Sequence, residues 1–209
     1  MEMKLYIFDF DDTLIKSDSR VIIKKPSGQE QRLTSSEFAI HQQVEGDEYD
    51  FSQFDLYPLS PTIIEPVFDM MQKLIENFSY ADVVVITARA DKEPVEMFLK
   101  DAGIHHVNVY AVGSDKVEAK SDLLKKILPT KNYSGVHVFE DNPKYISTMK
   151  QVCRECEVPF SYSLVRHPRN TPGKNLHKSL KNITRGVLDK LETLVARKHK
   201  PISAGTILV

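Results

Sequence analysis

The sequence contains no long run of apolar residues. Its longest aliphatic stretches, such as residues 83–86, fall far short of the roughly 20 residues that a bilayer-spanning helix needs. The first residues also lack the basic-then-apolar pattern of a secretory signal. We therefore predict a protein with no membrane partner, located in the cytoplasm.

Glycine and proline are also scarce, at 8 and 11 residues, which excludes collagen-like and low-complexity classes. Charged residues make up 27% of the chain and are nearly balanced in sign, so the composition is not that of a disordered protein. What is present is ordinary: 209 residues with 41% apolar side chains are enough for one well-cored domain.

Cysteine occurs only twice, as Cys153 and Cys156. A C-x-x-C pair can be redox-active or can form half of a zinc site. A zinc site would need His167 and His177, whose spacing from the pair is looser than in common structural sites. The pattern of residues 149–156 indicates the surface of a helix, so we favour no metal or redox role and expect no disulfide partner.

The net charge of −1 conceals an asymmetry, because residues 166–209 contain 10 basic and 2 acidic side chains. A basic helix there can follow a nucleic-acid phosphate backbone. It can equally be the solvated face of a packed helix, or a counterweight to the acidic remainder of the chain. Both interpretations stay open, and the first makes nucleic acid a candidate partner.

Strand patterns alternate with helix patterns along most of the chain. Strands are predicted over residues 4–8, 82–87, 107–112, 136–139 and 161–165. Helices are predicted from about residue 61 to 75 and over 91–102, 116–128, 143–156 and 176–194. This order predicts an α/β fold: a three-layer, Rossmann-like parallel sheet with helices on both faces, in one domain over 1–198. Residues 199–209 form a tail to which we assign no structure.

Residues 17–60 interrupt the alternation. Residues 21–25 and 29–33 flank Pro26, Ser27 and Gly28, which indicates a hairpin. Residues 34–43 resemble a short helix with Glu37 three positions after its cap. Ligands of open parallel sheets bind at the carboxyl ends of the strands. An insert that begins after the first strand is therefore predicted to be a flap or small cap over the site.

Polar residues cluster at the predicted strand ends and on one intervening helix. They are residues 9–13 (Asp-Phe-Asp-Asp-Thr), 87–89 (Thr-Ala-Arg), a lysine at 116 or 120, and 140–142 (Glu-Asp-Asn). Carboxylates crowded at one sheet edge need protonation or a bound cation, and oxygen ligands suit Mg²⁺. A carboxylate can also attack phosphorus, and a second one can transfer protons. Threonine and lysine would hold the transferring phosphoryl group.

These four groups, in this order, resemble the motifs of the haloacid dehalogenase superfamily over residues 3–165. The resemblance implies that Asp9 is the nucleophile and Asp11 the general acid/base. An Asp at position 11 is typical of the phosphatases of the superfamily. At position 12 the family often has Gly, and we treat Asp12 as a tolerated variant.

The resemblance also implies the remaining site residues. Mg²⁺ would be held by Asp9, the backbone carbonyl of Asp11 and Asp141, supported by Glu140 or Asn142. Thr87 and a lysine would hold the phosphate. We choose Lys120 because it opens an apolar run, as in the family motif, and keep Lys116 as the alternative.

Three assignments have a plain structural alternative. Thr87 is either a phosphate contact or merely a hydroxyl at the end of a strand. Arg89 is either a contact to the substrate phosphate or a surface cation that caps its neighbouring helix. Asn142 precedes Pro143 and fits a helix cap at least as well as a metal ligand.

The expected activity is Mg²⁺-dependent hydrolysis of a phosphomonoester. The insert is small, so its length suggests a mouth open to large substrates. Residues 87–89 together with 140–142 look similar to the phosphatase domains of polynucleotide end-healing enzymes and to small phage-type members of the superfamily. With the basic C-terminal region, this makes a nucleic-acid 3′-phosphate our preferred substrate, and a nucleotide or sugar phosphate the alternative. A non-catalytic nucleic-acid-binding module is the competing class, although the nucleophile and the acid/base are both present.

Overall fold

A computed structural model describes residues 3–77, 79–166 and 205–208 of this chain. The strands are β1 (Met3–Phe8), β2 (Ile15–Lys16), β3 (Val21–Lys24), β4 (Glu30–Leu33), β5 (Glu48–Asp50), β6 (Thr62–Ile63), β7 (Ala81–Thr87), β8 (Asn108–Ala111), β9 (Tyr133–Glu140), β10 (Phe160–Arg166) and β11 (Gly205–Leu208). The helices are α1 (Ser35–Ala39), α2 (Glu65–Asn77), α3 (Glu93–Asp101), α4 (Val117–Ile127) and α5 (Pro143–Glu155).

The central sheet has the order β11-β10-β9-β1-β7-β8, and all of its strand pairs are parallel. Numbered along the chain, its strands therefore lie in the order 3-2-1-4-5-6, with β1 as the first strand. The connection reverses direction between β1 and β9, which makes that pair the topological switch point of the sheet. The predicted α/β fold with a parallel sheet is confirmed.

Helices cover both faces of the sheet. Successive side chains of a strand point to opposite sides, and here both sides carry apolar residues that must be buried. Tyr6 and Phe8 of β1 belong to a core shared with α2 and α3. Leu5 and Ile7 belong to a separate core shared with α4 and α5. Each of these helices has one apolar face, as an amphipathic helix on a sheet requires.

The insert after β1 is a small structure with its own core. Strands β3, β4 and β5 form an antiparallel sheet in the order β4-β3-β5, and β2 pairs with β6 at its base. The predicted hairpin is present, with Val21 paired to Leu33. Helix α1 begins after Thr34, whose side chain forms a capping box with Glu37. A cluster of buried side chains holds the insert together: Val21, Ile23, Leu33 and Phe54.

Several details differ from the sequence predictions. The acid-rich stretch after residue 44 contains β5, which the pattern does not indicate because Glu48 is exposed on a short strand. Residues 205–208, to which we assigned no structure, pair with β10. Helix α2 begins at Glu65 rather than near residue 61, since residues 62–63 pair with β2.

The prediction that residues 149–156 form a helix surface is wrong for Cys153. This thiol is fully buried in the core under α5, whereas Cys156 at the end of the helix is exposed. Burial raises the pKa of Cys153 to about 12. The two histidines that a zinc site would need, His167 and His177, lie outside the described residues, as does the helix predicted over 176–194. None of the described helices has both the length and the apolar character needed to span a bilayer.

Candidate active site

The candidate site lies at the switch point of the sheet, where ligands of such sheets bind. Asp9 directly follows β1, and Glu140 ends β9, the neighbouring strand. Both side chains line a pocket of about 470 Å³, which is bounded on its other side by the insert. The sheet topology thus brings together residues that are far apart in the sequence.

Lys120 joins the carboxylates of the first and last motifs. Its Nζ donates to Asp9 Oδ1 at 2.6 Å and to Glu140 Oε2 at 2.8 Å. The lysine is 1% exposed, and its Nζ lies 4.5 Å from the ring centroid of Tyr145 on α5. Lys116 lies at the start of α4 and is exposed. Of the two lysines considered, Lys120 is therefore the one that contacts the nucleophile candidate.

Burial and crowding dominate the electrostatics of the site. Burial and the nearby charge of Glu140 raise the pKa of Asp9 to about 7, although Lys120 opposes this shift. Burial, together with the charges of Glu140 and Asp9, raises the pKa of Asp141 well above its ordinary value. Burial lowers the pKa of Lys120, but the charges of Asp9 and Glu140 outweigh it and raise that pKa overall. The lysine consequently stays protonated, and its ammonium group pairs with two of the three carboxyl groups, Asp9 and Glu140.

The three carboxyl groups can hold a metal ion. Asp9, Glu140 and Asp141 each offer an oxygen, and these oxygens lie within 4.8 Å of one another. A cation would relieve the repulsion that raises the pKa of Asp9 and of Asp141. The donor set consists of carboxylate oxygens, which suit hard cations such as Mg²⁺ or Ca²⁺. The side chain of Asp11 does not belong to this cluster.

Asp11 is held by Arg89 instead. The guanidinium binds the carboxylate in two places, with Nε to Oδ2 and Nη2 to Oδ1 both at 2.8 Å. Its Nη1 donates to the backbone carbonyls of Phe54 at 2.9 Å and of Leu56 at 3.1 Å, both in the insert. These bonds occupy four of the five N–H groups of the guanidinium. Arg89 therefore connects the acid/base candidate to the insert.

This position bears on both interpretations of Arg89, as a surface cation that caps a helix and as a contact to the substrate phosphate. The side chain of Arg89 is 1% exposed, so the interpretation as a surface cation is wrong. It also stacks on the rings of Phe10 and Phe54 at 5.2 and 5.4 Å, which fixes its plane. The predicted contact to a substrate phosphate would have to use the single N–H group that Asp11 and the insert leave over. Sequence reasoning missed the partner because Asp11 lies 78 residues away.

Thr87 and Asn142 complete the predicted set. Thr87 is 1% exposed, lines the pocket, and accepts a hydrogen bond from the Arg89 backbone at 3.3 Å. Asn142 accepts from the Lys144 backbone at 3.0 Å and so caps α5, which is the structural alternative considered for it. Its own N–H donates to Glu140 Oε1 at 3.1 Å, which orients that carboxylate.

Asp12 has a role that its residue type alone does not reveal. Its φ of 60° lies in the left-handed region, where glycine is favoured. Aspartate tolerates this region better than most residues. Its carboxylate accepts a hydrogen bond from the Ser35 hydroxyl, at the start of α1. The side chain thus links the loop after β1 to the insert, which a glycine cannot do.

The structure brings Asp9, Asp11, Thr87, Lys120, Glu140, Asp141 and Asn142 to one pocket, together with Arg89. The structure also places Tyr145 at the site, with its ring beside Lys120. The sequence signals this residue only by its place in the first turn after Pro143. No protein-family model matches the sequence, and no curated protein is found to be related to it.

Proposed function

We propose that this protein is a Mg²⁺-dependent phosphomonoester hydrolase of the haloacid dehalogenase superfamily, acting through an aspartyl-phosphate on Asp9. The observation that carries this proposal is the pairing of Asp9 with Lys120, at 2.6 Å, at the base of the pocket. Asp9 also lies beside two further carboxyl groups. This crowding favours a role in a metal-assisted reaction with a phosphate over a purely structural role for the ion pair.

The chain's own residues account for the proton and bond changes. An oxygen of Asp9 attacks phosphorus, and the bond from phosphorus to the leaving oxygen breaks. Asp11, as the carboxylic acid, donates a proton to that leaving oxygen. The resulting Asp11 carboxylate then takes a proton from water, which attacks the phosphorus and releases phosphate from Asp9. Arg89 orients Asp11 through both oxygens of its carboxylate, and the bond to the oxygen that carries the proton would have to loosen when Asp11 acts as the acid.

Lys120 and Thr87 would hold the phosphoryl group, because the negative charge of the transition state is spread over its outer oxygens. Asp9, Asp141 and Glu140 offer carboxylate oxygens for Mg²⁺, and the family resemblance adds the backbone carbonyl of Asp11. When bound, Mg²⁺ would neutralise charge on the phosphoryl oxygens.

The first test is release of phosphate from p-nitrophenyl phosphate in Mg²⁺ or in EDTA. We expect activity in Mg²⁺, loss in EDTA, and a decrease of about 1000-fold or more in kcat for Asp9→Asn, because the variant lacks the nucleophile. Asp122→Asn is the matched control, since Asp122 is an exposed acid on α4. Asp9→Asn activity within about twofold of the parent would show that Asp9 is not the nucleophile.

The preferred substrate remains a nucleic-acid 3′-phosphate. This preference rests on the similarity of residues 87–89 and 140–142 to polynucleotide end-healing phosphatases and on the basic residues of 166–209, most of which lie outside the described residues. Replacing Lys190, Arg197 and Lys198 with Glu should weaken oligonucleotide binding and flatten its salt dependence. An unchanged salt slope would assign these residues to a solvated face. Oligonucleotide binding with no release of phosphate from any substrate would favour the non-catalytic module.

A further inference from the structure

Four aromatic side chains of the insert line the pocket: Phe54, which packs against Arg89, and Phe38, His41 and Phe51. We call Phe38, His41 and Phe51 the aromatic wall. The rings of Phe38 and Phe51 are 5.2 Å apart and nearly perpendicular, and those of Phe38 and His41 are 6.2 Å apart and nearly parallel. Tyr49 packs against Phe38 at 6.0 Å. The wall is therefore one connected aromatic surface.

Hydrogen bonds on each side of the wall hold it over the site. Ser35, just before Phe38 in the chain, donates to Asp12 in the loop after β1. Gln43, just after His41, donates to Asp115 Oδ2 at 2.6 Å, in the loop before α4. The segment that carries Phe38 and His41 is thus anchored on both sides to loops that border the pocket, and Phe51 packs against Phe38.

The pocket has room for more than a phosphate. Its volume of about 470 Å³ lies within the roughly 300–1,000 Å³ typical of sites for whole small molecules. If the phosphoryl group lies in the pocket against Asp9 and Lys120, its leaving group extends into the remaining space, which the wall bounds. The wall thus contacts the part of the substrate that distinguishes one phosphomonoester from another.

Polar side chains form part of the remaining lining. Ser114, Asp115 and the exposed Lys144 line the same pocket as the wall. A nucleobase has a flat face that stacks on aromatic rings and an edge that forms hydrogen bonds. A sugar ring can pack its C–H groups on an aromatic ring but has no planar π system to stack, and the phenol ring of tyrosine lacks the polar edge. The combination of aromatic and polar surfaces therefore favours a base.

We propose that the aromatic wall binds the nucleobase next to the phosphate, so that the substrate is a nucleoside phosphomonoester, free or at the end of an oligonucleotide. This proposal rests on the proposed phosphatase function. It selects among the substrates considered above, because it excludes sugar phosphates that carry no base.

The test uses two substrate pairs that differ only in the base. One pair is adenosine 5′-phosphate and ribose 5-phosphate, and the other is a 3′-phosphorylated oligonucleotide with a terminal adenosine or a terminal abasic residue. Phe51→Ala is the variant, since Phe51 is 38% exposed and lies outside the buried core of the insert. Met97→Ala is the control, because Met97 is 56% exposed on α3 and does not line the pocket.

We expect Phe51→Ala to lower kcat/KM roughly tenfold for the base-bearing member of the preferred pair, the typical loss of one stacking contact. The value for its base-free partner should stay within about twofold, and Met97→Ala should change neither. The pair with the higher kcat/KM identifies the source, a free nucleotide or an oligonucleotide end. Equal losses for both members, or equal use of both members by the parent, would overturn the proposal.

A binding measurement separates this proposal from the proposed function. Isothermal titration calorimetry on Asp9→Asn compares the Kd values of the same substrates, with and without Phe51→Ala. A roughly tenfold increase in Kd confined to the base-bearing substrate supports the wall, and equal Kd values for both members of each pair refute it. If no substrate, including p-nitrophenyl phosphate, releases phosphate, then the proposed function fails while calorimetry still tests the wall.

Discussion

Lys120→Met is the substitution whose effect on stability follows most directly from the site geometry. The lysine is 1% exposed and forms hydrogen bonds of 2.6 and 2.8 Å to Asp9 and Glu140. Methionine has a similar length but no charge, so the two carboxyl groups would remain buried without their cation. Removal of one partner from a buried ion pair costs about 3–5 kcal/mol. We expect a decrease of this size in the free energy of unfolding at pH 8.

The decrease should depend on pH. A stranded carboxylate can take up a proton, and burial and Glu140 already raise the pKa of Asp9 to about 7 in the presence of the lysine. Loss of the lysine raises that pKa further, so the folded variant binds a proton more readily than the folded parent does. The stability difference between parent and variant should therefore shrink as the pH falls from 8 to 6.

Urea denaturation in EDTA measures this difference without bound metal. Lys126→Met is the matched control, because Lys126 is an exposed lysine of the same helix, and its effect should stay within about 0.5 kcal/mol. Adding Glu140→Gln to Lys120→Met removes one stranded charge and should recover about 1 kcal/mol or more. A loss below about 1 kcal/mol at pH 8, with no pH dependence, would refute the reasoning.

Three further predictions concern other buried groups. Burial lowers the pKa of His137 to about 3, so only the unfolded chain takes up a proton as the pH falls below about 6.5. His137→Asn should therefore remove up to about 1.4 kcal/mol per pH unit from the acid-side slope of stability in urea titrations from pH 7 to 5, and equal slopes would argue against this. A lysine at position 89 cannot bind Asp11 at both oxygens. For Arg89→Lys we therefore expect kcat to fall by about tenfold or more, with a smaller change in KM. An effect on KM alone would contradict a positioning role. A thiol reagent should label Cys156 rapidly in the folded protein and Cys153 only after denaturation, whereas rapid labelling of both would contradict the burial of Cys153.

Local features of this protein were predictable because neighbouring residues encode them. The alternation of strand and helix follows from the period of apolar residues, and the structure contains each predicted strand and helix within residues 3–166. The turn around Gly28 and the capping box of Thr34 and Glu37 are likewise set by residues within three positions of one another. These features need no tertiary contact to be specified.

The partners of the charged side chains were decided only by the tertiary structure. The sequence indicated carboxylates at the strand ends, yet it left the lysine open between Lys116 and Lys120, and it did not pair Arg89 with Asp11. Which face of a helix points to the sheet, and which strands lie next to one another, set those distances. The same holds for the burial of Cys153.

The link between the site and the insert is also a tertiary feature. Ser35 and Gln43 have ordinary sequence surroundings, and only the folding of the insert back over the sheet brings them to Asp12 and Asp115. By itself the sequence determined the elements and the chemical types gathered at the strand ends, because both depend on local pattern. The tertiary structure decided which of those groups touch, since hydrogen bonds and ion pairs depend on separations of a few ångströms between residues that are distant in the chain.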